Sequence, residues 1–548
     1  MSAARAKHTS YHDLPRSAVM ATMVGLMLAV LIATLDSTIV ATALPRIVAD
    51  LQGFEHYSGV VTAYLVASTA CLPIAGKLSD LYGRKFFLVG SVVWFVAASA
   101  LCGMSHTMFQ LVMFRALQGI GAGVLQTMAF STIADLYPPA ERGRVIGWLV
   151  SAYALGSVVG PYLGGVITDG PGWRWVFYVN LPVGIIALLF LIFYFPHIRP
   201  ERQAKSNIDY IGSITLIAWV VPALLALSWG GRDYAWGSGT ILGLAAVGSV
   251  CAAIFFVVEM KASEPVLPLK LFRNPIVSNS LVVASLTSAG MYGATLFIPL
   301  FVQSVIGRSA TESGSIITPM TLAIVVTAIL SGQWISHTGR YRPMAIGGVA
   351  LATVGTYLLV RLNPSASYRT VVFDSVIVGL GLGISFPVFN LVIQNAVEVR
   401  LIGTATSLAQ FMRSMGSALG VAVFGSILSN QFAPAFHQAI PPEIAARIPA
   451  SVLARFENPQ VFMTAEAGER ADAAFSALGP QGHAAWLALQ TAARTGLAVA
   501  LQRLFLTATI VMLVATFVVL FLREIPLRKS NRPKEQAKLE IEEVPGLL

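Results

Sequence analysis

Long apolar runs, interrupted by short clusters of glycine, proline and charge, make up most of the chain. A helix of about 20 predominantly apolar residues crosses a bilayer, and about fourteen runs meet that length. They are expected near 18–45, 58–78, 86–104, 107–134, 143–168, 174–196, 209–229, 238–258, 275–304, 311–335, 343–360, 371–394, 402–428 and 498–522. One stretch breaks the pattern. Residues 430–497 are polar, Ala-rich and of mixed charge, with Glu443, Arg447, Arg455, Glu457 and Asp472, and read as a long external loop carrying short surface helices.

Composition agrees with the pattern. Of 548 residues, 56% are hydrophobic and 11% charged, where soluble domains carry about 25% charged residues; the mean hydropathy is +0.73. An all-α integral membrane protein is therefore expected. The net charge of +10 does not indicate a nucleic-acid partner, which needs basic residues gathered on one soluble face. Here they are spread over short connecting loops. Placing both termini in the cytoplasm collects most of the Lys and Arg residues on that side, including Lys77, Arg84, Lys85, Arg142, Arg144, Arg199, Arg202, Lys205 and the tail from Arg523 to Lys538, as the positive-inside rule requires. The tail is expected to be a solvated basic segment facing lipid headgroups. The first run resembles a signal peptide, with Arg5, Lys7 and Arg16 before it and Ala41-Thr42-Ala43 inside it. An uncleaved first span is preferred, because it keeps the charge bias consistent along the whole chain.

Enzyme chemistry finds no support. The cysteines Cys71, Cys102 and Cys251 all fall in apolar runs, so neither a disulfide framework nor a metal site is indicated. There is no phosphate-cradling loop ending in Lys and Ser or Thr, which argues against an ATP-driven pump. The glycines of 119–123 lie in an apolar helix rather than between a strand and a helix, which excludes a dinucleotide fold. No cofactor and no metal are expected.

Charge inside the runs is the sharper signal. Asp36 lies in an otherwise uncharged stretch from Ala18 to Pro45, about 24 Å along a helix begun at Met20. A carboxylate at that depth is costly unless paired, neutralised or hydrated, and marks an ion or proton pathway; the alternative is an acid reaching headgroup water. Arg115, Gln118, Gly119, Ala122 and Gln126 recur at three- and four-residue steps and define one polar, small-residue stripe, expected to face a cavity. Arg115 needs an acidic or carbonyl partner, and Asp36 is the candidate by charge balance. Asp374 is the other acid inside a run, near an outer end. Arg413 is a second cation without an evident partner. Asn390, Gln394 and Gln410 lie on further polar stripes, either lining a substrate cavity or bonding helix to helix.

An internal repeat organises these pieces. Gly76 to Lys85 is echoed by Gly332 to Arg340; Gly119, Gly121 and Gly123 recur as Gly379, Gly381 and Gly383; Gly156, Gly160 and Gly165 recur as Gly416, Gly420 and Gly425. Near-constant offsets map the second run on the tenth, the fourth on the twelfth and the fifth on the thirteenth, as in duplicated transporter halves. The seventh and eighth runs are then an insertion. The expected division is a cytoplasmic N-terminus 1–17, a six-helix bundle 18–196, two inserted helices 209–258, a second bundle 275–522 interrupted by the loop 430–497, and a cytoplasmic tail 523–548.

Together these residues resemble a known family. Gly76 to Lys85 is similar to the cytoplasmic-loop motif of the major facilitator superfamily, and Arg115-Ala116-Leu117-Gln118-Gly119-Ile120-Gly121-Ala122-Gly123 to its fourth-helix motif. Gly156 to Gly165, with Gly160, Pro161 and Gly164, resembles the fifth-helix motif of its antiporters. Leu35-Asp36-Ser37-Thr38 through Pro45, and Trp173-Arg174-Trp175 through Asn180-Leu181-Pro182, look like its fourteen-span drug:proton antiporter branch. The resemblance implies two six-helix bundles plus two inserted helices, alternating access, and export of lipophilic or cationic compounds in exchange for protons across the cytoplasmic membrane. It implies proton coupling at Asp36 and Arg115, a cytoplasmic gate at Gly76, Asp80, Gly83 and Arg84, and a conformational role for the fifth-helix glycines. Some members of the branch work with a periplasmic adaptor, which nothing here specifies. Ser336 stands where the first repeat has Asp80, so the second copy is expected to latch more weakly. The rival readings are a dedicated exporter of an endogenous lipid, siderophore or metabolite, and a non-transporting sensor or scaffold.

Overall fold

The structure is a computed structural model that describes residues 15–51, 57–195, 209–231, 234–262, 265–308, 310–445 and 480–528, together with positions 448, 449, 453, 456, 472, 473 and 475. Among them, fourteen helices are long and apolar enough to cross a membrane. In chain order these are α1 (Arg16–Leu51), α2 (Tyr57–Tyr82), α3 (Arg84–Gly103), α4 (Met108–Leu136), α5 (Pro139–Asp169), the pair α6 (Trp175–Tyr178) and α7 (Asn180–Tyr194) forming one span, α8 (Tyr210–Trp229) and α9 (Gly239–Lys261). Then come α10 (Pro275–Leu300), α11 (Ala310–Thr338), α12 (Arg342–Val360), α13 (Tyr368–Ala396), α14 (Ile402–Ala439), the short α15 (Pro442–Ala445) and α16 (Pro480–Leu520). Polar residues separate the runs and cap the helices: Thr107 accepts from Gln110 N ahead of α4, Asp209 from Gly212 N ahead of α8 and Ser367 from Thr370 N ahead of α13, each relieving an orphan helix donor. Gly83 at φ +96° and Gly339 at φ +70° make the two tight turns of the repeated loop, a backbone conformation that side chains resist.

Helices α1–α7 pack on one another as one bundle, and α10–α14 with α16 as a second, while α8 and α9 pair together and lean on α2 and α14 through α8. This is the expected arrangement of two six-helix bundles with two inserted helices. Trp219 of α8 anchors the insertion, its ring edge-on to Phe411 of α14 and tilted against Phe255 of α9. Large apolar side chains such as Phe193, Ile214, Met260 and Phe517 stay exposed on the outside, which suits a lipid-facing surface and no aqueous one.

The glycine repeat has one packing logic in both bundles. Gly119 and Gly123 of α4 abut the α2 carbonyls of Tyr64 and Ser68, and Gly121 abuts Phe95 of α3; their echoes Gly379 and Gly383 abut Met320 and Ile324 of α11, and Gly381 abuts Ala352 of α12. Gly156 and Gly160 of α5 meet α1, as Gly416 and Gly420 of α14 meet α10. Missing side chains let these backbones approach closely. Across the bundles, α2 meets α14 where Gly76 faces Ser407, and α5 meets α11 where Gly143 faces Gly332.

Two expected boundaries move. The segment 430–497 is largely helix at its ends, because α14 continues to Ala439 and α16 begins at Pro480, well before the expected start at 498. Hydropathy marks only the stretch in the bilayer, whereas Ala-rich sequence is a strong helix former beyond it. The expected tail is also not free at its start: Tyr341 N donates to Glu524 Oε1 at 2.8 Å, Ile525 N to Tyr341 Oη at 2.8 Å and Arg528 N to Asn395 Oδ1 at 3.1 Å. Residues 523–528 are thereby tied to α12 and α13. The expectations for Arg5, Lys7, Arg199, Arg202, Lys205, Arg447, Arg455, Glu457 and the tail beyond 528 lie outside the described residues.

Candidate functional site

Asp36 is buried completely between helices of the first bundle, with 0% of its surface exposed, and Arg115 is 2% exposed. Arg115 Nη1 donates to Asp36 Oδ2 at 2.5 Å. Gln118 Nε2 and Asn180 Nδ2 each donate to Asp36 Oδ1 at 2.8 Å. The carboxylate thus holds three donors from α4 and α7, which are the partners a charge needs when it leaves water. The donors are themselves positioned. Arg115 also donates to Gln118 Oε1 at 2.7 Å, its guanidinium lies 4.2 Å from the Tyr64 ring centroid, and Asn180 donates a second bond to Ser99 Oγ at 2.9 Å. Losing one partner of such a pair costs about 3–5 kcal/mol, because the other charge stays buried.

The sequence reasoning found Asp36, Arg115 and Gln118 but not Asn180 or Ser99 as members of the site. Neutral polar residues in apolar runs carry no charge signal; Asn180 stood out only through the string it shares with Trp173 and Pro182. The expected stripe on α4 divides. Gln118 joins the carboxylate, Gly119 packs on the α2 backbone, and Gln126 is half-buried away from the network. Three- and four-residue spacing spreads over a face wide enough to meet two neighbours, so one stripe serves both packing and polarity.

The α5 glycines seat α1, the helix that carries Asp36. A methyl added at Gly156 would meet Thr34, at Gly160 Thr38 Oγ1, and at Gly164 Thr42 Oγ1, while Gly165 faces open space. Thr38 Oγ1 donates to the Gly156 carbonyl at 3.2 Å, tying the two helices. Pro161 lies within α5.

At the end of the bundles where α2 turns into α3, Asp80 both pairs with an arginine of its own bundle and caps a helix of the other. Its Oδ1 pairs with Arg84 Nη2 at 2.5 Å, and its Oδ2 accepts from Thr404 N and Thr404 Oγ1, each at 2.8 Å. Thr404 lies in the first turn of α14, so a carboxylate of the first bundle caps a helix of the second, where the helix dipole favours negative charge. Arg84 is held on its other side by Asp135 at 2.7 Å and Ser79 at 2.6 Å. Gly76 and Gly403 allow the approach. In the second copy Ser336 turns back onto Gln333 O, and the bundles meet at the close approach of Gly143 and Gly332. At the opposite end, Asp50 accepts from Trp173 Nε1 at 2.8 Å and pairs with Arg174 at 3.4 Å. The Trp173 hydrogen bond, with Arg174 beside it, holds the Asp50 carboxyl below the usual range.

The remaining residues do not converge on Asp36. Asp374, buried near the start of α13, makes no ion pair with Arg115 or Arg413 among the described residues. Gln394 donates to Thr406 Oγ1 at 3.1 Å, a bond between α13 and α14 rather than a cavity wall. Arg413 finds amides in place of an acid: it donates to Asn390 Oδ1 at 3.0 Å and to Gln410 Oε1, beside the Phe386 ring. With Met291, Phe386 and Phe389 it lines a small cleft between α10, α13 and α14.

Comparison with known proteins fits this geometry. Residues 26–421 match the family model described as Major Facilitator Superfamily. The chain is 37% identical over 526 residues to the multidrug transporter protein MdtP of Bacillus subtilis, covering 94% of this chain and 95% of that one. It is 40% identical to multidrug resistance protein 3 of the same organism, over 75% of this chain and 80% of that one, and 32% identical to the efflux pump bfoC of Aspergillus brasiliensis, over 76% of each. Among solved structures, the human organic anion transporter MFSD10 superposes with a TM-score of 0.59 at 14% identity, covering 90% of this chain and 99% of that one, a likeness of fold.

Proposed function

The chain belongs to the major facilitator superfamily, and on that premise we propose that this multi-pass transporter exports lipophilic and cationic drugs across the cytoplasmic membrane in exchange for protons. Both termini then lie in the cytoplasm, and the α2–α3 end is the inner end. The relatives named as multidrug transporters and efflux pumps support the substrate class. The observation that carries the coupling is the buried Asp36 carboxylate, met by Arg115, Gln118 and Asn180.

With that orientation, the Asp80–Thr404 contact joins the bundles at the inner end, which supports reading this state as closed inward. In that state a proton arriving from outside neutralises Asp36 and weakens its hold on Arg115. Thr38 and Thr42 of α1 rest in the α5 glycine stripe, and α5 meets α11 at Gly143 and Gly332. A shift of α1 is thereby passed to the contact between bundles, a connected two-state element of the kind coupling requires. The protonated carrier opens inward, releases its proton and accepts the next drug.

The test is purified protein in proteoliposomes with an imposed pH gradient and ethidium as the drug. The gradient should drive ethidium against its concentration, and collapsing it with a protonophore should abolish accumulation. Ethidium movement indifferent to the gradient would overturn proton antiport while leaving membership in the family untouched.

A further inference from the structure

The second bundle holds a buried cation, Arg413, that makes no ion pair among the described residues. In the first bundle Arg115 is neutralised by Asp36 of α1. The α10 helix takes the place of α1 in the second bundle, since Gly416 and Gly420 pack on α10 as Gly156 and Gly160 pack on α1. It carries no Asp or Glu along Pro275–Leu300, nor does α14 along Ile402–Ala439, and α13 has only Asp374. Arg413 is 7% exposed and Gln410 3%.

Hydrogen bonding leaves part of this cation unsatisfied. Arg413 Nε and Nη2 are taken by Gln410 Oε1 and Asn390 Oδ1. The hydrogen bonds of Arg413 among the described residues use Nε and Nη2 and leave Nη1 without an acceptor, and Gln410 Nε2 is buried without a partner. Arg413 therefore brings an unpaired donor and a full positive charge to the cleft, whose other walls include Thr287, Ser288, Met291, Phe386 and Phe389, while the Gln410 donor lies buried behind it. Amide dipoles alone stabilise a guanidinium less well than a carboxylate, with which Arg forms paired, charge-assisted bonds. The complement of this surface is one anionic oxygen group on an apolar body.

We propose that Arg413, held in place by Gln410 and Asn390, forms an anion-binding subsite of the transport cavity, taking the carboxylate of an amphiphilic organic acid. The substrate range then includes lipophilic acids besides cations. This rests on the transporter reading above, but it uses a part of the molecule that proton coupling at Asp36 does not.

The probes are 1-pyrenebutyrate and its methyl ester, which share an apolar body and differ in charge, titrated by fluorescence into purified protein in phosphatidylcholine nanodiscs. The acid should bind at least tenfold more tightly than the ester. Arg413→Gln should remove that preference and leave ester binding within about twofold, while Arg413→Lys retains part of it, as expected when charge survives without the planar fork. Equal binding of acid and ester, or equal weakening of both by Arg413→Gln, would overturn the subsite. Should Arg413→Gln fail to fold, competition on the wild-type protein decides: benzoate should displace the acid and not the ester, and displacement of neither refutes the subsite. Repeating the titration with phosphatidylglycerol in the nanodisc separates the sources of the anion, since loss of the acid's preference there assigns the subsite to a lipid headgroup and overturns the substrate assignment. Gradient-driven ethidium exchange, run alongside, separates the two readings: exchange without acid preference sinks only this subsite, and absent exchange sinks proton antiport.

Discussion

Replacing Asp80 by alanine should swing the transporter toward the state open at the α2–α3 end. The Asp80–Arg84 pair lies within one bundle and survives any rearrangement between bundles, so it does not bias the equilibrium. Arg84 in the variant still keeps Asp135 and Ser79. What changes is the link across the bundles, the two bonds from Thr404 N and Oγ1, both at 2.8 Å. Hydrogen bonds to a charged group contribute about 1.5–3 kcal/mol each, so even the low end gives about 3 kcal/mol, a shift of about a hundredfold in the equilibrium constant. Thr404→Val removes one of the two bonds and should move it about tenfold. Nitroxide labels at the exposed positions Tyr82 and Val399, one on each bundle at this end, report the change by electron–electron double resonance. Asp80→Ala should convert a short-distance population into a predominantly longer one, with Thr404→Val between them. A folded Asp80→Ala protein with the wild-type distance distribution would refute the latch.

Three further outcomes are expected from the same geometry. Gly160→Ala drives a methyl into Thr38 Oγ1, so ethidium export should fall at least tenfold in protein that still inserts, and Thr38→Ala should recover part of it; no effect of Gly160→Ala would show that α1 and α5 need not stay seated. Asn180→Leu removes one of the three donors on Asp36 and should cost about 1–3 kcal/mol of stability and slow gradient-driven exchange, whereas unchanged melting and exchange would exclude Asn180 from the network. Because the Asp50 carboxyl titrates below its usual range, its clasp on Trp173 is fully present above about pH 4 and is lost as pH falls through the lowered value. The melting temperature should therefore drop slightly as pH falls below about 4, and Trp173→Phe should abolish that component.

Much of this arrangement was legible because membrane helices leave strong marks. Apolar length located the spans, and glycines located the close contacts, whose offsets carried over between the bundles almost unchanged. The Asp36–Arg115 pair was readable by charge balance, since two opposite charges in apolar runs have few other ways to be satisfied. Asp80 was readable only as a member of a repeated loop motif, and the helix it caps, in the other bundle, was not. What stayed hidden was neutral or outside the bilayer. Asn180, Ser99, Asn390 and Gln394 look alike in sequence, and only packing decides which bonds a carboxylate, which holds Arg413 and which joins two helices. The extension of α14 and α16 past the membrane, and the docking of residues 523–528 on Tyr341 and Asn395, depend on contacts that hydropathy does not encode.

Drug-driven proton release from purified protein tests the role of Asp36 most directly. Ethidium added to weakly buffered detergent solution should release protons from the wild-type protein in proportion to drug bound. Asp36→Asn, folded and still binding ethidium, should release none. Equal release from Asp36→Asn would contradict the account and move the coupling to another acid, with Asp374 the first to examine.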